Sequence, residues 1–399
     1  MSTKKLTALS LFSGAGGLDH GLERSGFIEI AGCVEMDVDS CNTLAENMGE
    51  MTKVINADIS EITVKEVLEQ IGCNRDDIDL IVGGPPCQAF SVFGKRRGLD
   101  DKRGAVSVDF VRFVSEIRPK YFLMENVRGL MSMKLDGKKG GIYTMLVNKF
   151  NQEGYCVDVF VVNSVNYGAP QIRERVLIVG NRLDYKCHFP EPSHSDSPTE
   201  SQKPFLTLGD AIRNVDFEDQ GCMDFSERKK RYLAMIPQGG NWRSLPEDIQ
   251  KESMGKSWYL KGGRSAYWRR LSWDFPSPTV TTMPNHAGTS MCHPEETRAL
   301  NVSELASIQG FPDDWKFKGK SNTTKCRQIG NAVPVILGEV AGSAIYEMHK
   351  NANQHKGRKL HREIHIRPHV RTRQYYKKGK VFNDSTYLSK QNKKVDVRS

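Results

Sequence analysis

The chain lacks several features that mark whole classes of protein. Its 399 residues contain no CxxC pair, and the nine cysteines are scattered, so neither a disulfide framework nor a structural zinc site is indicated. No apolar run approaches the roughly 18 residues that span a bilayer. The short apolar start, Leu6 to Phe12, leads into a glycine loop rather than a signal-peptide cleavage site. We therefore expect a soluble, cytoplasmic protein.

Positive charge is concentrated at the carboxyl terminus. The net charge is +9, but residues 351–399 hold 14 Lys+Arg against 3 Asp+Glu, which leaves residues 1–350 at −2. A polyanion must therefore meet a local basic surface. One candidate is 221–270, with 11 Lys+Arg against 5 Asp+Glu and interleaved Trp and Tyr residues. Such a mixture suits phosphates and exposed bases, but it is equally compatible with a solvated face. The role of the basic tail, added DNA affinity or a solvated extension, stays open.

Strands and helices alternate over residues 1–182, which predicts an α/β fold with a doubly wound, mostly parallel sheet. The expected strands are Leu6–Phe12, Glu29–Glu35, Val54–Ala57, Ile78–Val82, Tyr121–Glu125, Tyr155–Asn163 and Arg175–Gly180. A run rich in Pro, Ser and Thr after Phe189 indicates a boundary before a smaller, irregular domain. We divide the chain into a catalytic domain at 1–184, a small domain at 185–320, a returning C-terminal motif and helix at 321–350, and a largely disordered tail at 351–399.

Three successive strand ends describe a nucleoside site. Gly14 and Gly16 lie between the first strand and a helix, where ligands can approach the backbone. The loop is not GxGxxG, because Asp19 occupies the sixth position from Gly14. Glu35 ends the second strand, where it can accept hydrogen bonds from ribose hydroxyls, and Asp58 ends the third, where it can bind an adenine amino group. This arrangement favours S-adenosylmethionine over NAD, although a tight turn and two surface acids would give the same pattern.

The next strand ends carry groups suited to catalysis. Gly83–Ser91 contains two prolines that deliver Cys87 in a rigid, extended path to a strand's carboxyl end. Glu125 ends the fifth strand, where a carboxyl group with a raised pKa could protonate a ring nitrogen. Arg173 and Arg175 share one strand face and can bind a carbonyl or a phosphate. The alternatives are a structural thiol and a surface ion-pair ladder.

Six segments occur in a fixed order over residues 9–340: FSGAGG, GGPPCQAFS, ENVRGL, QIRERV, ASIQGFPDDW and QIGNAVP. This ordered set resembles the DNA (cytosine-5)-methyltransferase family of the prokaryotic restriction–modification type, over all of the chain except the tail. The resemblance implies the S-adenosylmethionine-dependent methyltransferase fold and a target-recognition region within roughly 185–295. It implies no metal.

The resemblance also implies a role for each catalytic candidate. Cys87 would attack carbon 6 of cytosine, and Glu125 would hold and protonate N3. Arg175 would contact the ring's carbonyl oxygen, with Arg173 supporting the site. The base must be flipped out of the duplex, and Phe93–Gly98 resembles the loop that closes on DNA.

For the cofactor, the resemblance implies contacts that surround S-adenosylmethionine on several sides. The residues are Phe12, Gly14 and Gly16 in the loop, Glu35 on the ribose, Met36, Asp58 and Ile59 around the adenine, and Asn331 closing the site. Arg298 would brace the small domain, and Arg269–Thr279 would be framework more than DNA readout. The implied partners are double-stranded DNA and a cognate restriction endonuclease, with the chain as a monomer.

Three rivals remain at the level of sequence. A tRNA cytosine-5 methyltransferase would keep the fold and the reaction, but the long basic and aromatic region favours DNA. A non-catalytic DNA-binding homologue would not need Cys87, Glu125 and Arg175 together. A NAD dehydrogenase is disfavoured by the broken glycine pattern.

Overall fold

A computed structural model describes residues 4–86, 102–213, 219, 221–259, 266–351 and 362–368, with backbone alone at 102–108 and 362. Its strands are β1 (Leu6–Leu11), β2 (Ile28–Glu35), β3 (Lys53–Asn56), β4 (Leu80–Gly83), β5 (Tyr121–Val127), β6 (Lys134–Leu135), β7 (Lys138–Lys139), β8 (Cys156–Asn163), β9 (Gln171–Ile172), β10 (Glu174–Asn181), β11 (His194–Ser195), β12 (Lys203–Pro204), β13 (Ser277–Pro278) and β14 (Arg362–Ile366).

The helices lie between and after these strands. They are α1 (Gly17–Arg24), α2 (Val38–Asn47), α3 (Val64–Ile71), α4 (Lys102–Ile117), α5 (Gly141–Gln152), α6 (Leu208–Ile212), α7 (Glu227–Ala234), α8 (Glu247–Met254), α9 (Val302–Gln309), α10 (Asn322–Asn331) and α11 (Val335–Asn351). The helices of the region 185–320 have five to eight residues, so this part is irregular, as its sequence indicates.

Eight strands form the main sheet in the order β14-β8-β10-β5-β4-β1-β2-β3. Every neighbouring pair is parallel except those of β10, which runs antiparallel to β5 and to β8. The carboxyl ends of β1, β2, β3, β4 and β5 therefore meet at one edge, where ligands bind in doubly wound sheets. The predicted fold class is confirmed.

The hydrophobic interior has three parts. One cluster fills one side of the sheet beneath α3, α4 and α5. A second joins α1 and sheet residues to residues of α9, α10 and α11. A third is centred on Tyr232, Trp242 and Trp268 and lies within residues 225–299. Residues 225–299 thus have a small core of their own, while much of 185–320 shares the core of the sheet.

Helix α11 returns the end of the chain to its beginning. A Cβ atom at Gly21 of α1 would lie only 2.0 Å from the carbonyl oxygen of Val335, and one at Gly338 would lie 2.4 Å from that of Leu18. Glycine at both positions lets the two helices touch by their backbones. The run Asn322–Asn351 is long and apolar enough to cross a membrane, but 72% of its most apolar window is buried in this fold, so its apolar residues are accounted for by core packing.

Residues 362–368 of the C-terminal tail are described and add a strand to the main sheet. Strand β14 pairs in parallel with β8 from Arg362↔Val157 to Ile366↔Val161. The ring of His365 stacks on Phe160 with a centroid separation of 4.8 Å. The sequence of this short basic stretch does not show which strand it pairs with. In the fold, the edge of the sheet at β8 offers unpaired backbone groups to which β14 can bind.

Arg298, which is predicted to brace the small domain, makes an ion pair whose contribution to stability can be measured. Its guanidinium binds both carboxylate oxygens of buried Glu304 at 2.8 Å. Replacing Arg298 with methionine removes the positive charge and leaves the buried carboxylate of Glu304 without its arginine partner. We expect the free energy of unfolding to fall by about 3 kcal/mol, measured by urea denaturation. Lys65→Ala, which removes an exposed pair with Glu69, is the control and should change it by less than about 0.5 kcal/mol.

Candidate active site at the carboxyl edge of the sheet

Glu125 and Arg175 form a buried ion pair between two neighbouring strands. Arg175 lies on β10 opposite Val127 of β5, so its side chain returns toward Glu125. The Nε atom of Arg175 lies 2.6 Å from Glu125 Oε1, and both residues are 7% exposed. Burial raises the pKa of Glu125, although Arg175 and Arg173 oppose the shift. The site therefore holds a carboxyl group that is more readily protonated than an exposed one, beside a fixed guanidinium.

The backbone that leads to Cys87 is held against this pair. A Cβ atom at Gly84 would lie 2.9 Å from Glu125 Oε2, so the glycine allows the strand end to pass close to the carboxylate. Asn126 donates a hydrogen bond of 2.8 Å from its side chain to the carbonyl oxygen of Pro85. Cys87 itself and the segment Phe93–Gly98 lie outside the described residues.

Arg173 supports the site from behind. It is 2% exposed, and its guanidinium donates to the carbonyl oxygens of Val280, Gly330 and Ala332 at 2.7 to 2.9 Å. These contacts tie the segment before β10 to the two residues that flank Asn331. Arg173 is predicted above as a catalytic residue with a supporting role, and its contacts are those of a residue that positions the C-terminal motif. Nearby Arg175, rather than Arg173, makes the ion pair with Glu125.

The glycine loop is tied to the end of the second strand. Glu35 accepts hydrogen bonds from the backbone N–H groups of Gly14 at 2.9 Å and Asp37 at 2.8 Å. Phe12 and Gly14 have positive φ angles of 57° and 56°, and a Cβ atom at Gly14 would meet nothing within 4 Å. At Gly16, by contrast, a Cβ atom would lie 2.9 Å from Leu44 and 3.2 Å from Trp315. The glycine loop thus has free space beside Gly14, whereas at Gly16 it packs against neighbouring side chains.

The remaining cofactor candidates follow the carboxyl ends of β2 and β3 or end helix α10. Met36 is 67% exposed directly after β2, which is unusual for a large apolar side chain and leaves a face for a ligand ring. Asp58 accepts hydrogen bonds from the backbone and hydroxyl of Ser60. Ile59 is buried. Asn331 is exposed at the end of α10. The open loop, the carboxylate and the exposed thioether suit a nucleoside with an attached sulfonium group.

Comparison with known proteins bears on this geometry. The family described as C-5 cytosine-specific DNA methylase matches residues 6–347. The chain belongs to this family. It is 40% identical over 362 residues to the Type II methyltransferase M.Eco47II of Escherichia coli, covering 89% of this chain and 82% of that protein. It is 39% identical over 350 residues to the Type II methyltransferase M.Sau96I of Staphylococcus aureus, covering 86% and 76%.

A solved structure is similar over the same range. A putative DNA modification methyltransferase encoded within a prophage of E. coli superimposes with a TM-score of 0.60 and 27% sequence identity, covering 87% of this chain and all of that one. The predicted family and enzyme class are thereby confirmed: the chain is a DNA (cytosine-5) methyltransferase.

Some of the aromatic residues in the basic stretch 221–270 of the methylase lie in the core. Trp242 and Trp268 are buried, whereas Tyr259 is 73% exposed. Arg270 is also buried and donates to the carbonyl oxygens of Leu233, Ile236, His293 and Glu296 and to the hydroxyl of Thr297, at 2.8 to 3.0 Å. Arg270 therefore holds the framework together. The cations that face outward here include Arg228, Lys229 and Lys256, which border a cavity of about 370 Å³.

Sequence reasoning missed Asp19 as a group of interest in its own right. It is fully buried on α1 beneath the glycine loop, and burial raises its pKa from 3.8 to about 7, opposed by the Ser10 hydroxyl. An acidic residue in the first turn of a helix usually indicates a solvated cap, so the local sequence does not indicate this burial.

This burial predicts how stability depends on pH. The native state binds the Asp19 proton more tightly than the unfolded chain does, so this carboxyl favours folding less as the pH rises from about 4 to about 7. Asp19→Asn removes the effect. Relative to wild type, the variant should gain up to about 1.4 kcal/mol of unfolding free energy per pH unit over that range. Urea titrations at several pH values measure this, and exposed Asp76→Asn should give a difference that does not vary with pH.

Proposed function

We propose that this methylase transfers a methyl group from S-adenosylmethionine to carbon 5 of a cytosine flipped out of a specific duplex sequence, through a covalent bond to Cys87. The observation that carries the proposal is the buried Glu125–Arg175 pair beside the Gly84–Pro85 backbone. A protonatable carboxyl, a guanidinium and the approach to a thiol converge at one strand edge. A pyrimidine ring needs these three groups to be activated at carbon 5.

The chemistry follows from the charges that develop on the ring. The Cys87 thiolate adds to carbon 6, and the displaced electron pairs move through carbons 5 and 4 onto N3. Glu125 gives its proton to N3, which leaves carbon 5 as an enamine nucleophile. Arg175 donates a hydrogen bond to the ring's carbonyl oxygen and holds Glu125 in place. After methylation, N3 returns its proton to Glu125, a base takes the proton from carbon 5, and the released electron pair re-forms the bond between carbons 5 and 6 as the thiolate leaves.

Burial favours the protonated form of Glu125, which this role requires. Desolvation disfavours the ionised form of Glu125 and raises its pKa. Arg175 is also buried, so its donors stay oriented and are not screened by water. Closing the site over a flipped base would desolvate both groups further.

S-adenosylmethionine would supply an electrophilic methyl group when bound. The open side of the loop at Gly14, the carboxylate of Glu35 and the exposed face of Met36 fit its nucleoside. Asp58, Ile59 and Asn331 complete the proposed binding set, with Phe12 and Gly16 shaping the loop. Arg173 would act on this site indirectly, because it fixes the carbonyl groups on either side of Asn331.

The role of Glu35 in binding can be tested without turnover. Glu35→Gln keeps the size of the side chain but removes a charge that accepts from Gly14 and Asp37. We expect the dissociation constant for S-adenosylmethionine to rise about tenfold or more, since charge-assisted hydrogen bonds contribute about 1.5–3 kcal/mol. Isothermal titration calorimetry measures it. Glu29→Gln, an exposed position at the other end of β2, should leave it unchanged.

The biological setting follows from the relatives, whose names describe Type II methyltransferases. We infer that this chain acts in the cytoplasm as a monomer and protects DNA from a cognate restriction endonuclease. The rival substrate is tRNA. A labelled methyl group offered with duplex DNA and with tRNA separates the two: the proposal requires incorporation into duplex DNA, and label in tRNA alone would reject it. Absence of label from both would favour the non-catalytic homologue.

A further inference from the structure

Buried side chains supply hydrogen-bond donors to the turn that ends helix α10. The side-chain amide of Gln309 donates to the carbonyl oxygens of Ile329 at 2.5 Å and Ala332 at 3.2 Å. The guanidinium of Arg173 donates to the carbonyl oxygens of Gly330 and Ala332 at 2.7 and 2.9 Å. Gln309 is 0% exposed and Arg173 is 2% exposed. The turn is therefore held by two side chains from distant parts of the chain, in a place that water does not reach.

Helix α10 needs these donors because of the residues that follow it. The last four carbonyl groups of an α-helix have no partner within the helix. The residue four positions after Gly330 is Pro334, which has no N–H group. Arg173 supplies the donor that Pro334 lacks. A Cβ atom at Gly330 would lie 2.5 Å from the backbone nitrogen of Thr282, so the turn also packs closely against the backbone there.

A second buried amide fixes the orientation of Gln309. Gln171, which is 0% exposed, donates to Gln309 Oε1 at 2.9 Å and to the carbonyl oxygen of Ile308 at 3.4 Å. The side-chain oxygen of Gln171 accepts from the backbone N–H of Val280 at 2.9 Å. Because the N–H of Val280 can only donate, Gln171 has one allowed orientation, and it directs the amide nitrogen of Gln309 toward the end of α10.

The turn at the end of α10 lies against the start of helix α1. A Cβ atom at Gly17, the first residue of α1, would lie 2.4 Å from the carbonyl oxygen of Val333 and 3.4 Å from the Cβ atom of Ala332. Asn331 directly precedes these two residues and is exposed. The turn therefore holds Asn331 close to the glycine loop, and a shift of the turn would move Asn331 relative to that loop.

We propose that Gln309 is a positioning residue for S-adenosylmethionine, which with Gln171 holds the turn so that Asn331 meets the cofactor. This inference rests on the proposed function, because it takes Asn331 as part of the cofactor site. Gln309 lies at the end of α9, within residues 185–320, so a residue of this region acts on a site at the carboxyl edge of the sheet. Its loss leaves Glu125 and Arg175 in place and therefore weakens cofactor binding rather than the chemical step.

Gln309→Met tests the inference in the full-length chain, because methionine keeps the length of the side chain and has no N–H group. We expect the dissociation constant for S-adenosylmethionine, measured by isothermal titration calorimetry, to rise about tenfold or more, since buried carbonyl oxygens lose their donor. At saturating cofactor and duplex DNA, kcat should stay within about threefold of wild type. Gln152→Met, at an exposed position at the end of α5, is the matched control and should leave both quantities unchanged.

Gln309→Glu separates positioning from a general loss of packing. A protonated carboxyl group can donate to one of the carbonyl oxygens, whereas an ionised one has no proton to donate and faces them with a negative charge. Burial favours the protonated form. Relative to wild type at the same pH, the dissociation constant for S-adenosylmethionine should therefore be similar near about pH 5 and rise as the new carboxyl ionises. The ratio for Gln309→Met should not vary with pH.

Three results would overturn the inference. They are an unchanged dissociation constant in Gln309→Met, a ratio for Gln309→Glu that does not vary with pH, and a fall in kcat at saturating cofactor as large as the rise in the dissociation constant. If the wild-type chain itself does not bind S-adenosylmethionine, the proposed function fails. If wild type binds it and both variants bind it equally well, only the positioning role of Gln309 is rejected.

Discussion

Glu125→Gln is expected to lower kcat for methyl transfer by about 10²–10⁴-fold, the usual contribution of a positioned general acid. Glutamine keeps the size of the side chain and can still contact the ring and Arg175, but it has no proton to give to N3. Dissociation constants for DNA and S-adenosylmethionine should stay within about threefold of wild type, because the shape of the site is retained. Single-turnover kinetics with saturating cofactor measure the chemical step apart from product release.

The pH profile sharpens this prediction. Glu125 acts in its protonated form, so the rate should fall as the pH rises through its pKa. Burial raises that pKa, which moves the fall to a higher pH than an exposed glutamate would give. The residual rate of the Glu125→Gln variant should not show this fall with rising pH. Glu174→Gln is the matched control, since Glu174 pairs with Arg128 nearer the surface and should keep kcat within about twofold. A Glu125→Gln variant with more than a tenth of wild-type kcat would remove Glu125 as the acid.

Cys87→Ser is expected to reduce methyl transfer by about 10⁴-fold or more, as for nucleophiles in other covalent mechanisms. A serine hydroxyl ionises far less readily than a thiol, so it cannot provide an anionic nucleophile for carbon 6 at neutral pH. Binding of duplex DNA and cofactor should survive, because the substitution changes one atom. Rapid-quench measurement of methyl incorporation, with binding measured in parallel, separates loss of chemistry from loss of binding.

A matched cysteine shows whether the effect is specific. Cys73 is partly exposed after α3, away from the edge that carries Glu125, and Cys73→Ser should retain near wild-type activity. Full activity in Cys87→Ser would place the nucleophile elsewhere and remove the covalent step. Loss of DNA binding together with activity would show a structural thiol instead.

The sequence was sufficient for the elements that follow local rules. Helix α3 (Val64–Ile71) is one of these, because Thr63 and Glu66 form a capping box at its start and Gly72 ends it in a left-handed conformation. The strand that carries Glu125 was found from its apolar run. Glu125 and Arg175 meet because β5 and β10 pair in antiparallel fashion. The order of the motifs indicates that the two residues share a site, but the residue pattern of each strand does not show that the strands are neighbours.

The features that the sequence did not reveal depend on distant partners. The carbonyl acceptors of Arg173 lie 107 to 159 residues away along the chain, so no local spacing distinguishes its positioning role from a catalytic one. β14 pairs with a strand about 200 residues earlier, inside a run whose charge is typical of disorder. Asp19 is acidic and helical, and its burial depends on packing beside Ser10 of β1 and Cys33 of β2. The role of Cys87 stays a prediction.

The most direct test of the account is to express the chain in a host that lacks cytosine-5 methylation and to map methylcytosine in the genomic DNA at base resolution. We predict that one cytosine in one short duplex sequence is methylated at carbon 5 throughout the genome, and that the Cys87→Ser variant leaves the DNA unmodified. Unmethylated DNA from the wild-type chain, with new methylcytosine in the host tRNA, would contradict the account.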